Sequence, residues 1–399
     1  MKASLRRATK ARDSFYRVPA NDRDFSLAKL ADKDNLFRAF KNLQAHGGDG
    51  VGLDGATFSD FSPSEVFSVL RQVSLAIKDK TYRPSRTRTV PIPKPDGDTR
   101  DLELQTVIDR TVAKSLQLAL LPLAQQRLPR LTQSVVGVYK ELHDTVRRTR
   151  QFWLAPDDIK KCFDNVSVEA VMDSFRDRFS NPDLLWLIET VVRGFEGPER
   201  HVGESKGISQ GCPFSPMAME WLLHSRLDIP FAQQTSSQTL LRYVDNLLVV
   251  CSDAQSGEQA LAVCKELLAP LRMKLKHAPE DNPFDLREPS NDRSILGFNP
   301  VWTDQLQLGI PSGTYDALRK KLVEAHRTPN PGKQAMSVIN GFINAYGPAM
   351  TVPDRPTIIS RLFDVLAECK HWEYPSNRLC GLAEKAYGEW SKPFVPGDT

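Results

Sequence analysis

Residues 240–251, Leu-Leu-Arg-Tyr-Val-Asp-Asn-Leu-Leu-Val-Val-Cys, constrain the fold more than any other stretch of the chain. Two apolar runs flank a polar pair. That is the pattern of a buried β-hairpin with its acidic residue presented at the turn. A carboxylate held there is well placed to bind a metal ion.

The elements around this hairpin alternate in type. Leu36, Phe37, Phe40 and Leu43 predict a helix over 33–47, stopped by Gly47-Gly48-Asp49-Gly50. A second amphipathic helix is predicted over 64–79. Residues 87–94 read as a strand whose two prolines place it at a sheet edge. Pro95-Asp96-Gly97-Asp98 turns it back into Thr99–Leu104. A helical pattern over 106–127 is interrupted at Pro122. Residues 152–159 suit a strand, and 167–179, 183–194 and 215–227 suit helices. After the hairpin come a helix at 256–269 and a short strand near 294–298. Mixed order of this kind implies an α+β domain with an antiparallel sheet. Beyond Pro311 the pattern turns helical, over 312–326, 333–346 and 356–372, with a break at Pro329-Asn330-Pro331-Gly332.

Composition narrows the class. A chain of 399 residues implies two or three subdomains. Its 40% hydrophobic and 26% charged content is that of a globular protein. No apolar run approaches a membrane span. The basic start, Met1 to Arg12, lacks the apolar centre of a secretory signal, so a cytoplasmic location and no membrane partner are expected. A net charge of +4 permits a nucleic-acid partner without requiring one. The six cysteines include no C-x-x-C pair, which argues against a zinc ribbon and for reduced, buried thiols.

A second acidic site lies at Asp157-Asp158-Ile159-Lys160-Lys161-Cys162-Phe163-Asp164-Asn165-Val166. Here an apolar strand ends at Asp158 and a loop leads into a helix. For a lone aspartate a cap or turn role is the ordinary reading. Two carboxylates on strand ends are also what a pair of Mg²⁺ ions about 3.5–4 Å apart needs.

Tyr243-Val244-Asp245-Asn246 resembles the Tyr-x-Asp-Asp box of reverse transcriptases, with asparagine for the second aspartate. The rest of the chain agrees, in the family's order. Residues 91–102, Pro-Ile-Pro-Lys-Pro-Asp-Gly-Asp-Thr-Arg-Asp-Leu, resemble the fingers hairpin, and Thr106 to Val112 the helix start that follows it. Gly207 to Pro216 is similar to the Q-G-x-x-x-S-P box. Ser294 to Phe298 resembles the primer-grip hairpin and Val338 to Tyr346 the thumb helix. The chain thus resembles bacterial reverse transcriptases over about residues 33–350, including the group II intron-like, retron, abortive-infection and defence-associated kinds.

The resemblance implies a right-hand polymerase. Residues 1–32 would be a basic N-terminal extension. Residues 33–150 would be fingers, 151–310 palm (with part of the fingers near 195–215) and 311–399 a helical thumb and C-terminal segment. It implies Asp158 and Asp245 as metal ligands, with the Ile159 carbonyl as a further ligand. Mg²⁺ is the expected ion, with Mn²⁺ the alternative because Asn246 keeps an oxygen but lacks the charge. Lys94 and Arg100 would close over the triphosphate. Gln210, Gly211 and Tyr243 would lie at the incoming nucleotide and template base. Phe163 would be the aromatic steric gate that excludes a ribose 2′-OH, and Lys274 or Lys276 would serve the leaving pyrophosphate. The expected function is RNA-directed DNA synthesis from dNTPs on an RNA template or non-coding RNA. No room is evident for an endonuclease or maturase extension. A stand-alone polymerase of this size resembles the defence-associated, abortive-infection and retron kinds, and that resemblance implies a bacterial anti-phage defence enzyme acting with a neighbouring protein or as a homo-oligomer. Untemplated or protein-primed synthesis by the same palm, and a silent RNA-binding scaffold, are the alternatives.

Overall fold

The computed structural model describes residues 25–48, 50–93, 99–195, 206–277, 283–289, 293–372 and 375–391. Lys94 and residues 1–24 lie outside them. Of the N-terminal extension, Phe25, Leu27, Leu30 and Ala31 are buried, and Phe25 meets Phe179 edge-on.

Local chemistry sets the element boundaries. Helix α1, Lys33–His46, starts where the Asp32 carboxylate accepts from the Asp34 N–H. Helix α2, Pro63–Lys78, starts on a capping box between Ser62 and Glu65, with proline in its first turn. Strands β1, Arg88–Pro93, and β2, Thr99–Leu104, form a two-stranded antiparallel sheet running from Arg88↔Leu104 to Pro93↔Thr99. The β1 prolines thus sit on an edge strand, as the sequence predicts. Helix α3, Val107–Arg127, is capped by Thr106 and runs through Pro122 without the expected interruption. Buried Leu116, Leu120 and Ala124 on either side carry it past the missing N–H.

Helix α4, Val135–Thr149, was not predicted. Ser134 caps it and Arg150 ends it in a left-handed conformation. Strand β3, Trp153–Asp158, is followed by the single turn α5, Cys162–Asn165. Next come α6, Val168–Arg176, and α7, Pro182–Arg193, capped by Ser167 and Asn181. Helix α8, Ser215–Leu223, passes into a π-helical turn, His224–Asp228, rather than the regular helix expected to 227. Strands β4, Thr239–Tyr243, and β5, Asn246–Cys251, precede α9, Ala254–Leu268. Three short strands follow: β6, Phe284–Asp285; β7, Asn299–Trp302; and β8, Leu306–Gly309. The strand expected near 294–298 is instead a tight turn closed by an Ile295–Phe298 bridge, with positive φ at Leu296 and Gly297. The chain ends in four helices: α10, Gly313–Ala325; α11, Pro331–Ala345; α12, Arg355–Glu368; and α13, Ser376–Ser391, the last unpredicted.

The chain divides into two units. The first takes residues up to 132 with 158–236 and 262–276. In it α1 packs on α2 and α3, and α6 packs on α8 with the Phe175 and Trp221 rings stacked 5.4 Å apart. The second takes 133–157, 237–261 and the remainder. It holds the four-stranded sheet, in the order β4-β5-β3-β6. One apolar cluster joins the Tyr139 and Leu142 face of α4 to Leu154, Leu241, Leu248 and Val250 of the sheet. Another, around Leu322, Ile339, Leu362 and Leu379, joins the last four helices. Among the described residues no helix is long and apolar enough to cross a membrane.

None of the six cysteines is in a disulfide; five are buried and Cys380 is exposed. Burial pushes the Cys251 thiol up to about 11 and also raises Cys212 and Cys369. A raised thiol holds less thiolate at pH 8. Alkylation of the native protein at pH 8 is therefore expected to label Cys380 at least tenfold faster than any other cysteine, as read by peptide mass spectrometry.

Candidate active site

The β4–β5 hairpin turns in two residues. Tyr243 pairs with Asn246, leaving Val244 and Asp245 as the loop. Val244 adopts φ 56°, a left-handed backbone that is costly for a β-branched side chain. Glycine is the usual residue at the first position of such a hairpin turn. The main chain is held there from below. Arg242, in the middle of the apolar run, is wholly buried, and its guanidinium donates to the Val244 carbonyl at 2.9 Å. A buried guanidinium is tolerated only when it is bonded. At this position it fixes the carbonyl that immediately precedes Asp245.

Asp245 and Asn246 are half-buried. The Asn246 amide donates to Asp245 Oδ1 at 3.3 Å and to the Tyr243 carbonyl at 3.4 Å. An aspartate at 246 could do neither, and would set a like charge beside Asp245. Tyr243 packs partly buried against the sheet cluster.

The first unit holds the remaining candidates. Asp158 ends β3 and is extended by an antiparallel contact to residues 274–276. The Lys160 N–H donates to the Lys274 carbonyl, and the Lys276 N–H to the Asp158 carbonyl, each at 2.8 Å. These two bonds flank the Ile159–Leu275 bridge. The N–H and C=O of Ile159 therefore point away from that neighbouring strand. Of the two candidate lysines, Lys276 lies at Asp158, with Nζ 3.4 Å from Oδ2. Both side chains are substantially exposed, so the pair adds little stability. In the second unit, buried Asp157 accepts from the backbone N–H and Nδ1 of His277.

Phe163, half-buried on α5, is tied to the 206–211 segment. Its carbonyl accepts from the Ile208 N–H at 2.8 Å, and the Val166 carbonyl from the Gly207 N–H at 2.7 Å. Gly207 has φ +84°, and a Cβ there would lie 2.9 Å from the Asp164 carbonyl oxygen. Gln210 Nε2 donates to Asp164 Oδ1 at 2.7 Å. Gly211 is packed tighter still, since an added Cβ would fall 1.8 Å from the Glu103 carbonyl oxygen of β2. A ligand-facing role is the sequence expectation for Gly211. The structure adds a second constraint: its bare Cα lets the Gln210-Gly211 turn lie directly on the fingers-like hairpin.

A groove of about 580 Å³ runs beside these residues within the first unit. Arg86, Lys161 and Lys206 border it, as do Asp101, Glu103 and Asp164. The Arg86 guanidinium lies 4.8 Å over the Phe195 ring. Gln210 also lines the groove, and Arg100 stands exposed on β2, paired with Ile92.

The first unit thus ties the turn carrying Phe163 to the Gln210-Gly211 turn, and Gly211 in turn lies against β2. It also carries Arg100, Asp158 and Ile159, while the second carries Tyr243, Asp245 and Asn246. Sequence reasoning did not single out Arg242, although a charge inside an apolar strand is a signal that a partner awaits it. It also passed over Asp164, whose partner lies 46 positions away with nothing local to announce it. Among the described residues no group of three or more His, Cys, Asp or Glu side chains gathers as a metal site. Mg²⁺ does not need one, because it takes one or two carboxylates and completes its shell with water and phosphate. Asp158 and Asp245 are each partly exposed carboxylates, and each by itself has the donor chemistry such an ion takes.

Residues 92–278 match the family described as reverse transcriptase (RNA-dependent DNA polymerase). That stretch matches as a reverse transcriptase domain, and the mixture of helices with small antiparallel sheets agrees with the α+β class expected from the sequence. Among known proteins, "Protein YkfC" of Escherichia coli (strain K12) is 25% identical over 154 residues, 36% of this chain and 40% of that protein. The chain therefore spans about two fifths of the length of the curated relative it matches. Among solved structures, it is similar to telomerase from Candida albicans in complex with a TWJ fragment of telomeric RNA. That match has 13% identity and a TM-score of 0.41, over 82% of this chain and 68% of that one. It is also similar to a partial Cas6-RT-Cas1–Cas2 complex, with 15% identity and a TM-score of 0.37, over 61% of this chain and 42% of that one.

The Gly211 contact gives a direct test. Gly211→Ala must displace either the turn or β2, at a cost of about 1–3 kcal/mol. The expected result is a lower melting temperature with faster hydrogen exchange in 88–104. Unchanged exchange there would show that the turn does not hold the hairpin.

Proposed function

We propose that the protein is an RNA-directed DNA polymerase that adds dNTPs to a primer on an RNA template. The observation that carries this reading is that the Gln210-Gly211 turn lies on β2 and is tied to the turn carrying Phe163 and Asp164, inside a reverse transcriptase domain. Gln210 and Asp164 line a groove bordered by cations, and the resemblance makes Phe163, Gln210 and Gly211 the parts that select a nucleotide. A plain loop-to-helix turn needs no groove bordered by cations.

The roles follow the family resemblance. Asp158 and Asp245, with the Ile159 carbonyl, are the proposed holders of Mg²⁺, and Mn²⁺ is the alternative ion. Bound there, the metal would supply positive charge to the phosphate oxygens and the primer 3′-oxygen. Asn246 tunes the site by holding Asp245 through its amide. Arg100, with Lys94 outside the described residues, provides cations for the triphosphate. Lys276, beside Asp158, is the proposed lysine for the leaving pyrophosphate. Tyr243 backs the hairpin next to the nucleotide. Fingers over 33–150, palm over 151–310 and thumb over 311–399 are proposed on the same ground. A non-coding RNA as partner, a neighbouring protein or second copy, a cytoplasmic location and a role in anti-phage defence complete the reading.

The test is incorporation of labelled dNTPs on an RNA template and annealed primer, followed by sequencing of the product. Wild type is expected to copy the template. Asp158→Ala and Asp245→Ala are each expected to lose at least a hundredfold, and Asn246→Asp to shift activity toward Mg²⁺ over Mn²⁺. A product that copies no RNA would assign untemplated synthesis. Equal, absent incorporation in wild type and Asp245→Ala with either metal would leave only RNA binding.

Phe163 sets a second expectation. Phe163→Ala is expected to raise rNTP incorporation at least tenfold relative to dNTP, read by alkali-sensitive cleavage of the product. No gain of rNTP use would remove the steric gate from the mechanism.

A further inference from the structure

We propose that Asp164 is a positioning residue for Gln210, fixing which end of its amide is offered to the nucleotide and template. The proposal rests on the polymerase reading for what Gln210 contacts. The bond itself stands on the geometry of the first unit alone.

Three observations support it. First, Gln210 Nε2 donates to Asp164 Oδ1 at 2.7 Å, a short, charge-assisted contact between residues 46 positions apart. Second, the backbone that carries the exposed acceptor is itself fixed. Asp164 sits in the turn of α5, its N–H donating to the Lys161 carbonyl at 3.0 Å. Its own carbonyl is backed by Gly207, where no Cβ fits without a clash. The carbonyls of Phe163 and Val166 on either side are bonded to Ile208 and Gly207. Third, Asp164 and Gln210 both line the groove.

The chemistry of the acceptor gives the bond its consequence. An ionised carboxylate accepts and never donates, so only the nitrogen end of the amide can face it. The carbonyl Oε1 is thereby turned away from Asp164. A glutamine without this partner would sample both ends, and either orientation would be presented to a ligand. Asp164 therefore converts a freely rotating amide into one with its acceptor in a set direction. It also couples that amide to Phe163, its immediate neighbour on the same turn. The gate and the amide move as one piece.

The test compares Asp164→Ala, Asp164→Asn, Gln210→Ala and the Asp164→Ala/Gln210→Ala double variant on an RNA template and primer. Asparagine keeps a hydrogen-bond partner for Gln210 but can donate as well as accept, so it does not choose the end of the amide; alanine keeps no partner. Asp164→Ala is expected to raise the dNTP KM about five- to tenfold, the weight of one such bond, with kcat within threefold of wild type. Asp164→Asn is expected to recover only part of that loss, because its amide can hold either end of Gln210, and the double variant to be no worse than Gln210→Ala. Additive losses in the double variant, or full rescue by asparagine, would overturn the proposal. A readout independent of activity accompanies this. In protein labelled with ¹⁵N-glutamine, the side-chain signals that vanish in Gln210→Ala are expected to shift in both Asp164→Ala and Asp164→Asn. Unmoved signals in Asp164→Ala would reject the proposal even with an active enzyme. If wild type makes no DNA, the polymerase reading fails and these signals alone decide the role of Asp164.

Discussion

The tightest constraint in the first unit is the backbone-to-backbone approach of the 206–211 segment to its neighbours. At Gly211 the distance to the Glu103 carbonyl excludes even a methyl group, and at Gly207 the Asp164 carbonyl does nearly the same. Packing of this kind has no side chain to absorb error. The position of β2, the turn carrying Gln210 and the turn carrying Phe163 are therefore set by one another. The groove beside them inherits its width from those two glycines, more than from any residue that lines it.

The second unit solves a different problem, which is to hold a carboxylate at the tip of a hairpin whose strands are deeply apolar. The sheet supplies rigidity through Leu241, Leu248 and Val250. The tip then pays for its sharpness with an unfavourable backbone at Val244. Arg242 offsets part of that cost by bonding the Val244 carbonyl from inside the protein. Strain of this sort persists where surrounding structure over-determines it, and such places cluster at functional sites. One bond that lets position 242 hold a buried charge is the one it donates to the turn.

Much of this was legible in the sequence, for identifiable reasons. The hairpin at 240–251 announced itself by strict apolar runs around a polar pair, and β1 announced its edge position through Pro91 and Pro93. The order of short motifs was sufficient to point to the right-hand polymerase fold. Features that depend on distant partners stayed hidden. Helix α4 shows its buried face, Val138, Tyr139, Leu142 and Val146, only once the sheet it covers is known. The continuity of α3 through Pro122 comes from burial around it, which propensity does not record. The turn at Leu296 and Gly297 was mistaken for strand because its flanking residues are apolar for core reasons. At the site, single residues were readable by type, whereas Asp164 with Gln210 and Gly211 with Glu103 are pairings across the fold with no local signature.

The amide of Asn246 has a consequence for how this protein relates to metal. A hairpin tip bearing two adjacent carboxylates is self-repelling until a cation arrives, so its folding is partly a binding reaction. Here the neighbour of Asp245 is an uncharged amide that donates to it, so no second carboxylate repels it. The tip is thus complete as a folded object on its own. With the proposed ion removed, the hairpin would keep its shape.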